Sequence, residues 1–294
     1  MAYRKRNPSN IVEGVAKLSC MGAIAELGGG KILPPMHLAP LVRALEDAEA
    51  GRGRPTIVSV PPRHGKSTTV GYAIAWMLAR HPDRVHAVCC YSQRLADRLS
   101  RSIRRITESA GIQFSEDENR IESWRTVEDG GLLAVGRGGP LTGFGISGVG
   151  IVDDPLKDRE EAESILIRDA TWDWLLDVFF TRLEPGATPF VVATRWHVDD
   201  PSGRLLAGQC EEFPNWNHIH LPAIGLDDAG NETALWPERW PLEALQKKRG
   251  PFGGDRRWHA LYQGNPQPAG SSIFGEPTFG VFPGDEHGGL RIVA

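Results

Sequence analysis

The sequence predicts an α/β chain built on a mostly parallel sheet with helices on its faces. Three observations lead there. Short β-branched or apolar runs alternate with longer segments of helical period. Three of those runs (residues 55–60, 149–155 and 188–197) leave the strand through polar residues of kinds that do chemistry, and such ends gather on one edge of a parallel sheet. The 294 residues are 40% hydrophobic and 24% charged, which supplies enough apolar material to cover a sheet on both faces.

The elements follow in order. Residues 1–10, basic and lacking an apolar core behind them, read as a loose arm within a lead-in that reaches residue 30. Residues 32–51 open with a Pro-Pro turn and run into a short helix ending near Gly51. PTIVSV (55–60) is a buried strand, and GKSTTVGYAIAWMLARHP turns helical at once and stops before Pro82. RVHAVCCYS (84–92) is a second strand, with Cys89 and Cys90 as small core residues. Residues 93–109 form a helix and 131–136 a weak strand. Residues 136–148 form a glycine-rich loop. VGIVDDP (149–155) is a strand ending in two acids, 160–182 a helix, and TPFVVATRWH (188–197) a strand and its exit. Past residue 212 prolines, tryptophans and short apolar pieces replace long elements. The expected organisation is therefore a core over 31–212, a small lid or linker unit over 213–268, and a linker over 269–294 whose last residues, LRIVA, begin a further strand.

Bulk properties exclude several classes. Lys and Arg total 33 against 37 Asp and Glu, a net charge of -4, so any contact with a polyanion must be local. Four cysteines without C-x-x-C spacing point to a reducing compartment and no disulfide framework. No apolar run approaches the ~18 residues that a spanning helix needs, so no membrane association is expected.

The stretch SVPPRHGKSTTV (59–70) carries the chemistry. A phosphate loop reads G-x-x-x-x-G-K-[ST]. Gly65, Lys66 and Ser67 close that pattern correctly, but Val60 stands at the opening glycine. The strand before and the apolar-striped helix after supply the right context. Pro62, Arg63, His64, Gly65, Lys66, Ser67 and Thr68 would form the cradle, its amides and helix N-terminus favouring phosphate. Lys66 would reach the β- and γ-phosphates, and Ser67 would bind Mg²⁺ through its hydroxyl. Pro61 and Pro62 donate no N–H but stiffen the entry. Arg63 would act as an arginine supplied in cis to charge developing in the transition state.

A phosphate loop needs an acid on a neighbouring strand. Asp153 is the candidate for Mg²⁺, directly or through water, and Asp154 for orienting and deprotonating the attacking water. Glu160 and Glu161 are the alternative bases. Thr194, at the end of the 188–197 strand, is placed to touch the γ-phosphate or its water. His197, Asp199 and Asp200 fit no ligand spacing, and helix capping by Asp200 or Ser202 accounts for them. In residues 93–109, Arg94, Arg98, Arg101 and Arg105 make a cationic ridge opposite Leu95, Leu99, Ile103 and Ile106. Such a ridge suits a phosphate backbone without base readout, an acidic neighbouring subunit, or plain solvent. Arg137, in the glycine-rich loop, is a candidate arginine finger offered to a neighbouring subunit.

Taken with LTGFGISGVGIVDDPLKDREEAES, TRLEPGATPFVVATRWHVDDPSGRLL and LWPERWPLEALQKKRGPFGGDRRWHALYQGNPQP, these blocks in this order resemble the ATPase portion of the large terminase subunit of tailed bacteriophages. The resemblance covers most of residues 30–268. It implies a P-loop NTPase core of the additional-strand type, Mg²⁺-dependent ATP hydrolysis, and translocation of double-stranded DNA into a procapsid. It implies a ring, commonly a pentamer, on a portal protein, a small terminase subunit as partner, and the host cytoplasm as location. It places Asp153, Asp154 and Thr194 in the metal, catalytic and coupling roles, and His37, within 35–41, beside the adenine. The family's nuclease domain would begin about where this sequence stops, so no nuclease activity is expected of this chain. A helicase-like or repair ATPase, and an assembly module holding nucleotide as a structural ligand, are the alternatives.

Overall fold

The computed structural model describes residues 8–141, 143, 145–250 and 255–268. Most of the predicted arm (1–7) and the 269–294 segment with its LRIVA strand start lie outside the described residues.

Eight strands form one sheet: β1 (Thr56–Ser59), β2 (Val85–Cys90), β3 (Phe114–Asn119), β4 (Ser123–Thr126), β5 (Gly131–Gly136), β6 (Val149–Asp153), β7 (Thr188–Ala193) and β8 (Asn217–His220). Their order is β3-β4-β5-β2-β6-β7-β1-β8. The strands from β5 to β8 run parallel, whereas β4 pairs antiparallel with both β3 and β5. β7 lies between the strand that feeds the phosphate loop and the strand that carries the acids, which is the additional-strand arrangement. In register, Ser59 pairs with Ala193, Asp153 with Val192, and Cys90 with Asp153, so four strands end on one level. A separate antiparallel pair joins β9 (Ile224–Leu226) and β10 (Glu232–Ala234).

Helices α1 (Pro8–Ala16), α2 (Cys20–Leu27), α3 (Ala39–Glu49), α4 (Lys66–Arg80) and α5 (Gln93–Ser109) precede α6 (Arg159–Glu163), α7 (Ile165–Trp174), α8 (Pro201–Leu206) and α9 (Leu242–Arg249). α4 is buried along nearly its whole length. At Gly71 a side chain would stand 3.3 Å from Ile103 Cγ1, and this allows α5 to pack closely. Strand residues alternate between two cores as the pleat requires. Val58, Val88, Ile151 and Val192 meet α4, while Ile57, Ala87, Val152 and Val191 meet Trp172, Phe179 and Phe180. A third, smaller core gathers Ala223, Ile224, Ala234, Leu245 and Trp258, with Trp240 and Tyr262 against it.

Four expectations change. Residues 8–10 belong to α1 rather than to a loose arm, and α2 follows behind Ser19, whose Oγ accepts from Gly22 N–H. The single helix expected over 160–182 breaks at Ser164, which is extended (ψ 112°) and caps α7; a π turn at Leu175–Phe179 and a 3-10 turn at Phe180–Arg182 end it. The hairpin β3–β4 is built from polar residues. It is anchored by fully buried Trp124, whose Nε1–H donates to Ser100 Oγ at 3.0 Å. β8, from the segment past residue 212, belongs to the main sheet beside β1.

His86 lies wholly buried on β2, its Nδ1 accepting from Val149 N–H at 3.1 Å. Burial, with the nearby Arg84 and His81 charges, pushes its pKa from 6.5 down to about 3. The unfolded chain therefore takes up a proton near pH 6.5 that the folded chain refuses. Stability from this site is present above pH 6.5 and falls as pH drops toward 3, by ~1.4 kcal/mol per pH unit at most. His86→Asn, which keeps an acceptor for Val149, should show a smaller loss of melting temperature between pH 7.5 and 5.5 than the parent chain; an equal loss would assign the acid sensitivity elsewhere.

Candidate active site

The loop between β1 and α4 is a cradle of unspent amides. Among the described residues, the backbone N–H groups of Arg63 through Thr68 donate to no backbone or side-chain acceptor, and helical bonding begins with Thr69 N–H to Gly65 O at 2.9 Å. Gly65 (φ 86°) and Arg63 (φ 64°) supply the left-handed turns that fold the loop back on itself. Six consecutive free donors at a helix N-terminus attract an anion. Val60, one residue past β1, is satisfactory at the first position because its N–H still donates to Ala193 O at 3.3 Å and its φ is not positive, so no glycine is required.

The two acids close on this loop. Asp153 is the last residue of β6. Asp154 leaves the strand with φ 52°, its N–H on Val192 O and its carbonyl receiving Tyr91 N–H, each at 3.1 Å. Lys66 Nζ sits 2.5 Å from Asp154 Oδ2, and Ser67 Oγ donates to Asp153 Oδ2 at 2.5 Å. Asp154 Oδ1 accepts from Thr194 N–H at 2.8 Å, and the Thr194 hydroxyl reaches Val60 O at 3.5 Å. Burial alone would lower the Lys66 pKa, but the Asp154 and Asp153 carboxylates outweigh it and hold the ammonium above its ordinary value. Burial drives the Asp153 carboxyl up to about 6; Lys66 opposes this, Asp154 adds to it, and Ser67 pulls it back.

Asp153 Oδ1 is buried and has no hydrogen-bond partner among the described residues. A hard oxygen donor left unsatisfied beside a serine hydroxyl, at the mouth of an anion cradle, fits Mg²⁺. That ion takes one or two protein oxygens and completes its shell with phosphate and water. Among the described residues no cluster of three or more His, Cys, Asp or Glu could hold a metal unaided.

Pro62, Arg63, Gly65, Lys66, Ser67, Thr68, Asp153, Asp154 and Thr194 line one cleft, together with Tyr91, Leu95, Arg98, Leu99, Ser102, Leu156, Lys157, Trp196 and Leu261. Arg63 is exposed there and, among the described residues, has no carboxylate partner. Of the α5 ridge, Arg94, Arg98, Arg101 and Arg105 are all exposed without ion pairs among the described residues, and Arg98 faces into the cleft wall.

Three expected placements differ. Arg137 is not free for a neighbour: Nη1 and Nη2 hold Glu161 at 2.8 and 3.2 Å, and Nη1 also donates to Pro155 O at 3.2 Å. The same contacts occupy Glu161. His64 keeps its backbone N–H among the free donors of the cradle, while its ring is fully buried with Nδ1 on Pro62 O at 3.0 Å. His37 does not line the cleft; its ring stacks on Trp236 with centroids 4.3 Å apart, and Nε2 meets His64 O at 2.9 Å.

Asp200 caps α8 through Gly203 N–H at 2.9 Å and pairs with buried Arg195, while Asp199 pairs with Arg168 and Arg204. These acids clasp the loop after β7. Sequence reasoning missed Trp236 and Trp240, whose i, i+4 spacing in WPERW was the available signal.

No protein-family model matches the chain, and no curated protein does. Among solved structures, the fold is similar to the ATPase domain of the large terminase of Thermus phage P74-26, at 13% identity and TM-score 0.47, over 72% of this chain and 88% of that one. It is similar to the large terminase of bacteriophage HK97 at 14% identity and TM-score 0.46, over 89% of this chain and 56% of that one. A third likeness, at 12% identity and TM-score 0.39 over 67% of this chain and 51% of that one, is to S. cerevisiae Dbp5 bound to RNA and ADP BeF3. At such values the chemistry of the site rests on its own geometry.

Proposed function

We propose that this chain is a Mg²⁺-dependent ATPase that acts on nucleic acid, and that its work is to drive double-stranded DNA into a viral procapsid. The observation that carries the chemistry is the closure of Lys66 on Asp154 and of Ser67 on Asp153 across a cradle of free amides. The sequence blocks that resemble large terminases carry the packaging reading. With it come a homo-oligomeric ring on a portal protein, a small terminase subunit as partner, the host cytoplasm as location, and residues 213–268 as a lid. In line with it, no helix among the described residues is long and apolar enough to cross a membrane.

A triphosphate entering the cradle competes with Asp154 for the Lys66 ammonium. Asp154, still held through Oδ1 by Thr194 N–H, is then free to orient water and take its proton. Asp153 and Ser67 would hold Mg²⁺, which would supply neutralisation of phosphate charge. Arg63, exposed at the cleft and without a carboxylate partner among the described residues, stabilises the charge that grows on the transferred group. The free ridge of α5 offers DNA sequence-independent phosphate contacts.

Steady-state turnover tests the reading. Lys66→Ala should abolish DNA-stimulated ATP hydrolysis, and unchanged turnover would refute an enzymatic role for the site. Arg63→Ala should cost ~10³-fold or more in kcat. Arg137→Ala should instead lower the melting temperature and cost only about threefold in kcat, because its partners are structural; a loss matching that of Arg63→Ala would restore it as a finger.

Asp153→Asn separates function from stability. It should eliminate Mg²⁺-dependent turnover, yet raise the melting temperature of the nucleotide-free chain by a few degrees, roughly 1–2 kcal/mol, by removing a buried charge. A lower melting temperature would show that the carboxylate is a net stabiliser. Replacing Arg98 and Arg101 together by Glu should weaken DNA binding uniformly across sequences and reduce the salt slope by about one per arginine. Affinity and slope unchanged in a DNA titration would move the gripping surface elsewhere.

A further inference from the structure

We infer that His37 and Trp240 are positioning residues for the triphosphate, acting from outside the phosphate loop by holding its carbonyls outward so that its amides face the cradle. The inference rests on the proposed nucleotide reading and adds residues that do not line the cleft.

Three consecutive loop carbonyls each meet a ring nitrogen. Pro62 O is held by His64 Nδ1 at 3.0 Å, Arg63 O by Trp240 Nε1 at 3.4 Å, and His64 O by His37 Nε2 at 2.9 Å. A carbonyl can only accept, so each ring nitrogen carries the proton, and this sets both tautomers: Nδ1–H on His64 and Nε2–H on His37. The carbonyl of a peptide unit points opposite to the N–H of the next residue. Pinning the carbonyls of 62, 63 and 64 therefore directs the amides of 63, 64 and 65 the other way, and these are among the donors left unspent. The left-handed φ of Arg63 has an energetic cost for a residue with a Cβ; the outside bonds hold the chain there.

The brace is itself braced. His37 stacks on Trp236 and His64 on Trp240, at 4.3 and 6.1 Å between centroids, while Arg239 lies over the Trp236 face at 5.4 Å. Trp236 Cζ3 stands 3.9 Å from the position a Cβ on Gly65 would take, so the indole lies directly against the loop's second turn. Burial holds the His37 and His64 pKa values below the usual range, and each neutral ring then has one proton to give.

The test compares His37→Gln, which keeps a donor, with His37→Leu, which does not, and Trp240→Phe, which keeps the ring and loses the N–H. Equilibrium binding of ATP and steady-state KM and kcat are measured on the full chain. His37→Leu and Trp240→Phe should weaken ATP binding and raise KM about tenfold, the worth of roughly one hydrogen bond to the loop, with a smaller fall in kcat. His37→Gln should return both to within about threefold of the parent. Thermal melts of all three variants, each expected to stay folded at the assay temperature, serve as the folding control. Parent chain that binds no ATP would refute the nucleotide reading itself. Parent chain that binds, with His37→Leu equal to it or His37→Gln as weak as His37→Leu, would overturn the brace alone.

Discussion

Two carboxylates at the end of one strand cannot both stay charged out of water without a cation between them, and Lys66 is that cation. The residue is 8% exposed, and its ammonium touches Asp154 and lowers the cost of ionising Asp153. The contact requires α4 to begin at Lys66, and the loop before it to fold back. It also requires β6 to end level with β1 although β7 lies between them. Register, loop conformation and helix start therefore converge on one ion pair.

The same economy organises the next strand. Thr194 N–H, Asp154 Oδ1 and the Thr194 hydroxyl on Val60 O link the ends of β6, β7 and β1. Immediately beyond, Arg195 and Asp200 form a pair in which both side chains are nearly inaccessible, at 7% and 5%. One-sided loss of such a pair is costly, so the chain leaving β7 is held in place. The open cations at the cleft are Arg63 beside the loop and Arg98 on α5, farther along the wall.

Much of this was legible in the sequence. The parallel strands were β-branched and buried, so composition identified them, and the polar exits of 59–67, 153–154 and 194 marked the sheet edge at which they meet in one cleft. The β3–β4 hairpin was not legible, because FSEDEN and SWRT carry one large apolar anchor, Trp124, whose burial depends on a partner in α5. β8 was not legible because NHIH has no apolar run and pairs along the outer edge of β1. Arg137 read as free because sequence shows a glycine-rich loop around it and not the Glu161 that lies 24 positions on. His37 read as lining a base because sequence gives a residue's neighbours in the chain and not which side of a loop it faces.

Trp240 belongs to two structures at once. Its ring packs into the small core beside Leu242 and Tyr262 with Lys248 over it at 5.5 Å, and its N–H grips the loop at Arg63. The third core and the anion cradle are thus connected in series, like two links of a chain sharing a pin. A shift of one must either carry the other along or part the bond at Arg63 together with the stacking of Trp240 on His64 and of Trp236 on His37, and those contacts set the force that can pass between them.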